Sequence, residues 1–300
     1  MKKTIIIAGL ALAVLASCNK ERTDASQGVP VTLSVAVGGE VMPTRAADGI
    51  QSVRLQPGEQ FNAYLTNCTV AGTVFTMNAD EVTATPAQQP FVMMGRNASV
   101  VAVYPASATN ATGSWTVALD QTTEDAYKAG DLMYAAAPVA ANGRANVTFQ
   151  HRMAKIVIKA VAGEGIGEIR DIRIIKGFRT VDIGGTGLIP GSAVSDPVGN
   201  TDATCLRAFT GGTGPSVDCA ALLPPQTIDA GTGVADRFLE VVTNKGPCWF
   251  NLRSGSGSGV TFESGKSYTL VLPVDADIIG LTATITPWVK TADQVVFTEL

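Results

Sequence analysis

Apolar and polar residues alternate in short stretches along most of the chain. The clearest stretch covers residues 31–37, in which polar or small residues separate Val31, Leu33, Val35 and Val37. Because successive side chains of a β-strand point to opposite faces, this period of two predicts a half-buried strand. Comparable segments bounded by turn residues predict strands at 60–65, 72–77, 99–104, 115–119, 146–151, 153–160, 169–175, 237–242, 249–252, 260–262, 268–272 and 281–285. Many short strands without a long amphipathic helix predict an all-β chain built from β-sandwiches.

Two segments break this pattern. Residues 163–167 are rich in glycine and are predicted to be a linker. Residues 176–214 are rich in Gly, Thr and Asp and are predicted to be mainly loop with a strand or two. At 300 residues the chain is long enough for one large domain or two ordinary domains.

The N-terminus has the parts of a secretion signal. Lys2 and Lys3 precede an apolar run over residues 5–15, and small residues follow it. The run is shorter than the about 20 apolar residues that a membrane-spanning helix needs, which favours a signal peptide. Residues 15–18, Leu-Ala-Ser-Cys, resemble the bacterial lipobox, in which the cysteine receives a lipid and the chain is cut just before it. We therefore predict a signal peptide over 1–17 and a lipid anchor on Cys18, with an ordinary secretory signal as the alternative.

The charge of the chain indicates whether nucleic acid is an expected partner. Charged residues make up 16% of the chain, and the formal net charge is −4. The chain also has no basic run that could neutralise a nucleic-acid backbone. Nucleic acid is therefore not an expected partner.

Four cysteines remain after Cys18, and in an oxidising compartment they could form disulfides in more than one pairing or stay buried as free thiols. These cysteines are Cys68, Cys205, Cys219 and Cys248.

Two features could suggest catalysis or phosphate binding, but their sequence context favours structural roles. His151 is the only histidine, it lies in an apolar strand pattern, and no Gly-x-Ser-x-Gly motif accompanies it. We predict that it is packed or hydrogen-bonded. Residues 265–267, Gly-Lys-Ser, lack the earlier glycine of a phosphate-binding loop and precede a strand pattern, so a hairpin turn is predicted. No motif indicates a metal, a cofactor or an enzyme.

Several segments, taken in order, resemble the pattern of the fimbrillin (Mfa-like, type V pilin-like) family. They are Asp131-Leu132-Met133-Tyr134-Ala135, Phe149-Gln150-His151-Arg152-Met153-Ala154-Lys155-Ile156, Leu223-Pro224-Pro225-Gln226, Phe262-Glu263-Ser264-Gly265-Lys266-Ser267-Tyr268-Thr269-Leu270 and Ile285-Thr286-Pro287-Trp288. Together with the lipobox, these segments extend the resemblance over nearly the whole chain. The resemblance implies two tandem transthyretin-like β-sandwich domains after a lipoprotein signal peptide, expected at 46–163 and 164–300. It also implies a role in surface pili.

The resemblance further implies maturation by an Arg-specific protease. Arg45, followed by Ala46, lies in a turn-like loop after the first predicted strand and is the expected cleavage site. Arg22 and Arg54 are weaker alternatives. Cleavage would remove residues 18–45 as a propeptide, together with the lipid on Cys18 and the first strand.

Loss of that strand is expected to open an apolar groove that a strand from a neighbouring subunit fills. The strand would be displaced with its four apolar residues, Val31, Leu33, Val35 and Val37. The expected donor lies in residues 289–300, whose apolar residues are Val295, Val296, Phe297 and Leu300. A final strand that pairs within its own domain is the alternative for this segment, because its alternation is poor.

The expected function is a structural or accessory subunit of cell-surface fimbriae. The expected partners are other fimbrial subunits, the maturation protease and, through Cys18, a membrane. The chain would reach the outer membrane and the cell surface through the periplasm. The alternative is a non-polymerising, lipid-anchored adhesin or ligand-binding protein on the same fold.

Overall fold

A computed structural model of the protein describes residues 28–38, 55–66, 72–88, 91–93, 97–109, 113–185, 187–199, 201, 206–210, 212–252, 258–274 and 282–287. Strands dominate these residues, which confirms the predicted all-β fold. The strands of the N-terminal half are β1 (Val29–Pro30), β2 (Thr32–Val37), β3 (Gln60–Thr66), β4 (Thr73–Met77), β5 (Thr83–Pro86), β6 (Val92–Met93), β7 (Ser99–Tyr104), β8 (Gly113–Thr116), β9 (Met133–Pro138) and β10 (Arg144–His151).

The described strands of the C-terminal half follow a sharp corner at Arg152 and Met153. They are β11 (Ala154–Ala162), β12 (Ile169–Ile174), β13 (Phe178–Gly184), β14 (Ile189–Pro197), β15 (Leu206–Arg207), β16 (Phe209–Thr210), β17 (Ser216–Leu223), β18 (Gln226–Ile228), β19 (Arg237–Thr243), β20 (Gly246–Asn251), β21 (Val260–Phe262), β22 (Lys266–Val274) and β23 (Thr282–Pro287). The prediction that residues 176–214 are mainly loop is wrong, because β13, β14, β15 and β16 lie there.

A short helix, α1 (Glu124–Gly130), lies between β8 and β9. Thr123 caps its first turn, and the Thr123 hydroxyl accepts a hydrogen bond from the Ala126 N–H at 3.2 Å. A single 3-10 turn, Val234–Asp236, precedes β19. Among the described residues, no helix combines the length and the apolar character needed to cross a membrane.

Seven strands of the N-terminal half close into a barrel in the order β10-β2-β5-β4-β3-β7-β9. Strands β2, β3, β4 and β10 bury alternate residues, as the sequence pattern predicts, and large rings fill the interior. The Phe61 and Phe75 rings stack with 5.6 Å between their centroids, and Phe149 meets Phe61 edge-on at 5.3 Å. Offset and edge-on contacts are the favoured geometries for aromatic pairs. We call this interior the barrel core.

The C-terminal half contains a five-stranded sheet, β16-β17-β11-β22-β23, and a four-stranded sheet, β15-β12-β19-β20. Strand β11 lies in the middle of the first sheet, antiparallel to β17 and parallel to β22. Apolar residues of both sheets, including Ile156, Phe238 and Tyr268, belong to one buried cluster. We call this cluster the C-terminal core.

Strand β7 forms a wall between the two cores. Val100, Ala102 and Tyr104 belong to the barrel core, whereas Val101 and Val103 belong to the C-terminal core. One strand serves both cores because its successive side chains point in opposite directions.

Strand β8 and helix α1 also contribute to the C-terminal core. Strand β8 pairs with β13, and Tyr127 of α1 is buried in that core. Residues before 163 therefore contact both cores. The domain boundary between residues 163 and 164 stays a prediction.

The Gly-Lys-Ser segment begins in a turn between β21 and β22, but the predicted hairpin is wrong, because β21 pairs with β18 and β22 pairs with β11 and β23. Gly265 has a φ of +68°, in the left-handed region that glycine favours, and Lys266 begins strand β22. A Cβ added at Gly265 would lie 2.9 Å from the carbonyl oxygen of His151. The chain therefore needs glycine here to bring this turn close to the end of β10.

Candidate functional site

Strand β2 closes the barrel and is held along both of its edges. On one side, Thr32–Val37 pairs in parallel with Arg144–Phe149 of β10. On the other side, β2 runs antiparallel to β5, where Leu33 lies opposite Ala84. Strand β2 forms a tight hairpin with neither neighbour and reaches both from a distant part of the sequence. Pairing with β10 and β5, rather than a tight turn, therefore holds it in the barrel wall.

One face of β2 is inserted into the barrel core. The inward residues are Val31, just before β2, and Leu33, Val35 and Val37 within it, and they are 4%, 2%, 7% and 8% exposed. Thr32 and Ala36 lie on the opposite, exposed face. The prediction of a half-buried strand at this position is confirmed. Burial of each inward side chain stabilises the fold by ~1.5–3 kcal/mol.

The space occupied by β2 is a slot shaped for a β-strand, which we call the first-strand groove. Its two walls are the edges of β10 and β5, and its floor is the barrel core. The aromatic residues of that core are Phe61, Phe75, Phe91, Tyr104 and Phe149. Without β2, the N–H and C=O groups of both walls would be unpaired, which makes such an edge a template for another strand. Main-chain hydrogen bonds would supply affinity, and alternate side-chain sites would supply specificity.

The hairpin before β10 lets the groove close tightly around the start of β2. Gly143 has a φ of +82°, and a Cβ added there would overlap the carbonyl oxygen of Pro30. The Thr32 N–H donates to the Gly143 carbonyl oxygen at 2.9 Å. A glycine is required here because the backbone is left-handed and the first strand passes directly beside it.

Several predicted functional residues lie outside the described part of the chain. They are Cys18, Arg45, Ala46, Val295, Val296, Phe297 and Leu300. Their assigned roles in lipidation, cleavage and strand donation, and the displacement of β2 itself, stay predictions.

His151 forms a buried polar pair at the end of β10. Its Nδ1 lies 2.9 Å from Oδ1 of Asp131, and the two side chains are 7% and 3% exposed. A buried polar group of this kind is stable only when it is hydrogen-bonded. The prediction of a hydrogen-bonded His151 is confirmed. Its partner was not predicted, because Asp131 follows α1 and no local pattern connects it to β10.

We expect the Asp131→Ala substitution to lower the free energy of unfolding by about 1–3 kcal/mol, because it takes a hydrogen-bond partner from a buried imidazole. Denaturant unfolding would measure the change. The control is Asp182→Ala, because Asp182 is exposed on β13. If both variants were as stable as the original chain, the pair would have no structural role.

The two described cysteines are free thiols. Cys219 is buried on β17 and Cys248 is half-buried on β20. Burial raises the pKa of the Cys219 thiol far above its usual range, and it also raises the pKa of the Cys248 thiol. Both thiols are therefore poor nucleophiles. Cys68 and Cys205 lie outside the described residues.

The described residues contain no cluster of metal-binding side chains. Across the described ranges, no three side chains of His, Cys, Asp or Glu converge as a metal site would require.

Comparisons with known proteins place this architecture. A proposed cell-adhesion protein from Bacteroides ovatus superposes with a TM-score of 0.63 at 16% identity, covering 88% of this chain and 99% of that one. A second such protein, from Bacteroides uniformis, gives a TM-score of 0.57 at 14% identity over 87% and 98% of the two chains. The tip fimbrial protein Mfa3 from Porphyromonas gingivalis, with a C-terminal truncation, gives 0.50 at 13% identity over 86% and 99%.

At such low identities these likenesses show the fold alone. No curated protein sequence matches the chain. The sequence profile of the fimbrillin-like family, in contrast, matches residues 43–288, which is most of the chain. The protein therefore belongs to the fimbrillin-like family.

Proposed function

We propose that this protein is a subunit of cell-surface fimbriae that is exported as a lipoprotein and assembles by strand exchange. The observation that carries the proposal is the place of β2, which closes the barrel as a strand with four buried aliphatic side chains. Family membership supports a fimbrial or adhesive role. The tip fimbrial protein among the structural neighbours supports the same role.

Cleavage after Arg45 supplies the switch in this scheme. While β2 is part of the same chain, its effective concentration at the groove is in the ~mM range or above, and an external strand competes poorly. After hydrolysis, β2 is held by noncovalent contacts alone, and its release becomes an ordinary dissociation. A strand from a second subunit then replaces it. The lipid on Cys18 leaves with the released segment.

The C-terminal residues are the proposed source of the incoming strand. We expect the double substitution Val295→Asp and Phe297→Asp to abolish multimers, because two charged side chains would have to be buried in the first-strand groove. The chain itself should still fold and reach the cell surface. Gel electrophoresis without boiling would show the loss of the multimer ladder. The control is Thr298→Asp together with Thr291→Asp, which leaves the apolar residues in place.

A lipid-anchored surface protein that does not polymerise is the second candidate. One observation favours it: β23, which ends at Pro287, already pairs with β22 of its own chain. This candidate predicts no multimers with or without the Asp substitutions. It also predicts that the lipid stays on the mature protein.

A further inference from the structure

The two ends of β2 differ in their backbone hydrogen bonds. At the Val31 end, hydrogen bonds are formed along both edges. The Val31 N–H donates to the Phe91 carbonyl oxygen at 2.8 Å, and the Thr32 N–H donates to the Gly143 carbonyl oxygen at 2.9 Å on the β10 side. Just before them, β1 pairs with β6. Opening this end would break hydrogen bonds on two sides at once.

The Val37 end is paired along one edge. On the β5 side, the last hydrogen bond runs from the Val35 N–H to the Val82 carbonyl oxygen at 2.7 Å. Beyond Val82 the chain turns back towards β4, and the Asp80 carboxylate accepts the Val82 N–H within that turn at 3.0 Å. Among the described residues, Val37 is therefore paired with β10 alone.

Side-chain exposure follows the same trend. Val37 is 8% exposed, compared with 2% for Leu33. Val82, which lies beside this end of the strand, is 45% exposed and is among the few large aliphatic side chains on the described surface. An exposed aliphatic group next to a strand end held along one edge offers an arriving apolar segment its first contact.

We propose that strand exchange starts at the Val37 end. The partner is an extended segment with aliphatic side chains at alternate positions. Its first side chain takes the place of Val37, and the segment then displaces the resident strand past Val35, which is hydrogen-bonded to Val82, towards Val31. Local opening requires the least free energy where the fewest contacts break, which favours this direction. The inference rests on the proposed strand exchange and adds the end at which it begins. The proposed cut after Arg45 frees this same end.

Amide hydrogen exchange on the uncut, full chain tests the difference between the two ends without any partner. The Thr32 and Gly38 amides are a matched pair, since both donate to carbonyl oxygens on the β10 side, at 2.9 and 2.7 Å. We expect the Gly38 amide to exchange at least about tenfold faster through local opening. Equal protection of the two amides, or faster exchange of Thr32, would overturn the proposal.

Kinetics with a defined peptide test the direction itself. The protein is the full chain cut after Arg45, and the probe is a fluorescent peptide with the sequence of residues 28–38. We expect Val37→Ser in the peptide to slow association about tenfold, because that side chain enters first. Val31→Ser should leave association within about twofold and speed dissociation instead.

The uncut chain is the control and should take up no peptide. If Val31→Ser slowed association as much as Val37→Ser or more, the proposed direction would be wrong. If the cut protein took up no unmodified peptide, strand exchange itself would be contradicted, and the direction with it. The two failures are therefore distinguishable.

Discussion

A variant that lacks residues 31–38 is expected to lose most of the stability of the barrel. The four inward side chains of β2 contribute ~1.5–3 kcal/mol each, which comes to about 6–12 kcal/mol. That amount is comparable to the ~5–15 kcal/mol by which whole domains are stable. Thermal unfolding should therefore show no cooperative transition for the barrel. A variant that unfolded like the original chain would show that β2 is dispensable.

The same variant should be rescued by its missing strand. Added peptide with the sequence of residues 28–38 is expected to restore the unfolding transition, because it refills the groove and pairs with both walls. A peptide with Leu33→Asp and Val35→Asp is the matched control and should fail, since it would bury unpaired charges. Rescue by both peptides alike would mean that the groove does not select an aliphatic strand.

The second large effect concerns Arg45. The Arg45→Gln substitution is expected to abolish surface multimers and to leave the protein lipidated on Cys18, because the first strand then stays covalently attached at high effective concentration. Intact-mass measurement of the surface-extracted protein and unboiled gels would show both results. Arg54→Gln is the control and should assemble normally. Multimers in the Arg45→Gln variant would show that assembly does not depend on this cut.

The first strand was predictable from sequence because its signal is local. The alternation of Val31, Leu33, Val35 and Val37 identifies both a strand and its buried face. Its neighbours were not predictable in the same way. A parallel pairing between β2 and β10 joins segments far apart in the chain, and neither segment carries a mark of the other.

Other parts of the fold lack a strong local pattern. Strand β14 was expected to be mainly loop because it is exposed along almost its whole length and contains Pro190 and Gly191, so apolar residues do not alternate. The Asp131–His151 pair was missed for a different reason. A buried hydrogen bond depends on how α1 and β10 pack together, and sequence spacing does not reveal that packing.

The structure also changes the weight given to individual residues. His151 could have suggested catalysis on sequence alone, yet in the fold it is a buried partner of Asp131. Val82 carries no distinctive signal in the sequence. In the structure it lies just before β5, its carbonyl oxygen accepts the Val35 N–H, and its side chain is exposed. Both residues are understood through their neighbours.

The central claim is that the first strand is removed before assembly. The most direct test is the N-terminal residue of the protein in surface-extracted multimers. The account predicts that this residue is Ala46 and that the segment 18–45 is no longer covalently attached. Multimers whose subunits begin at a lipidated Cys18, with β2 still in the same chain, would contradict it.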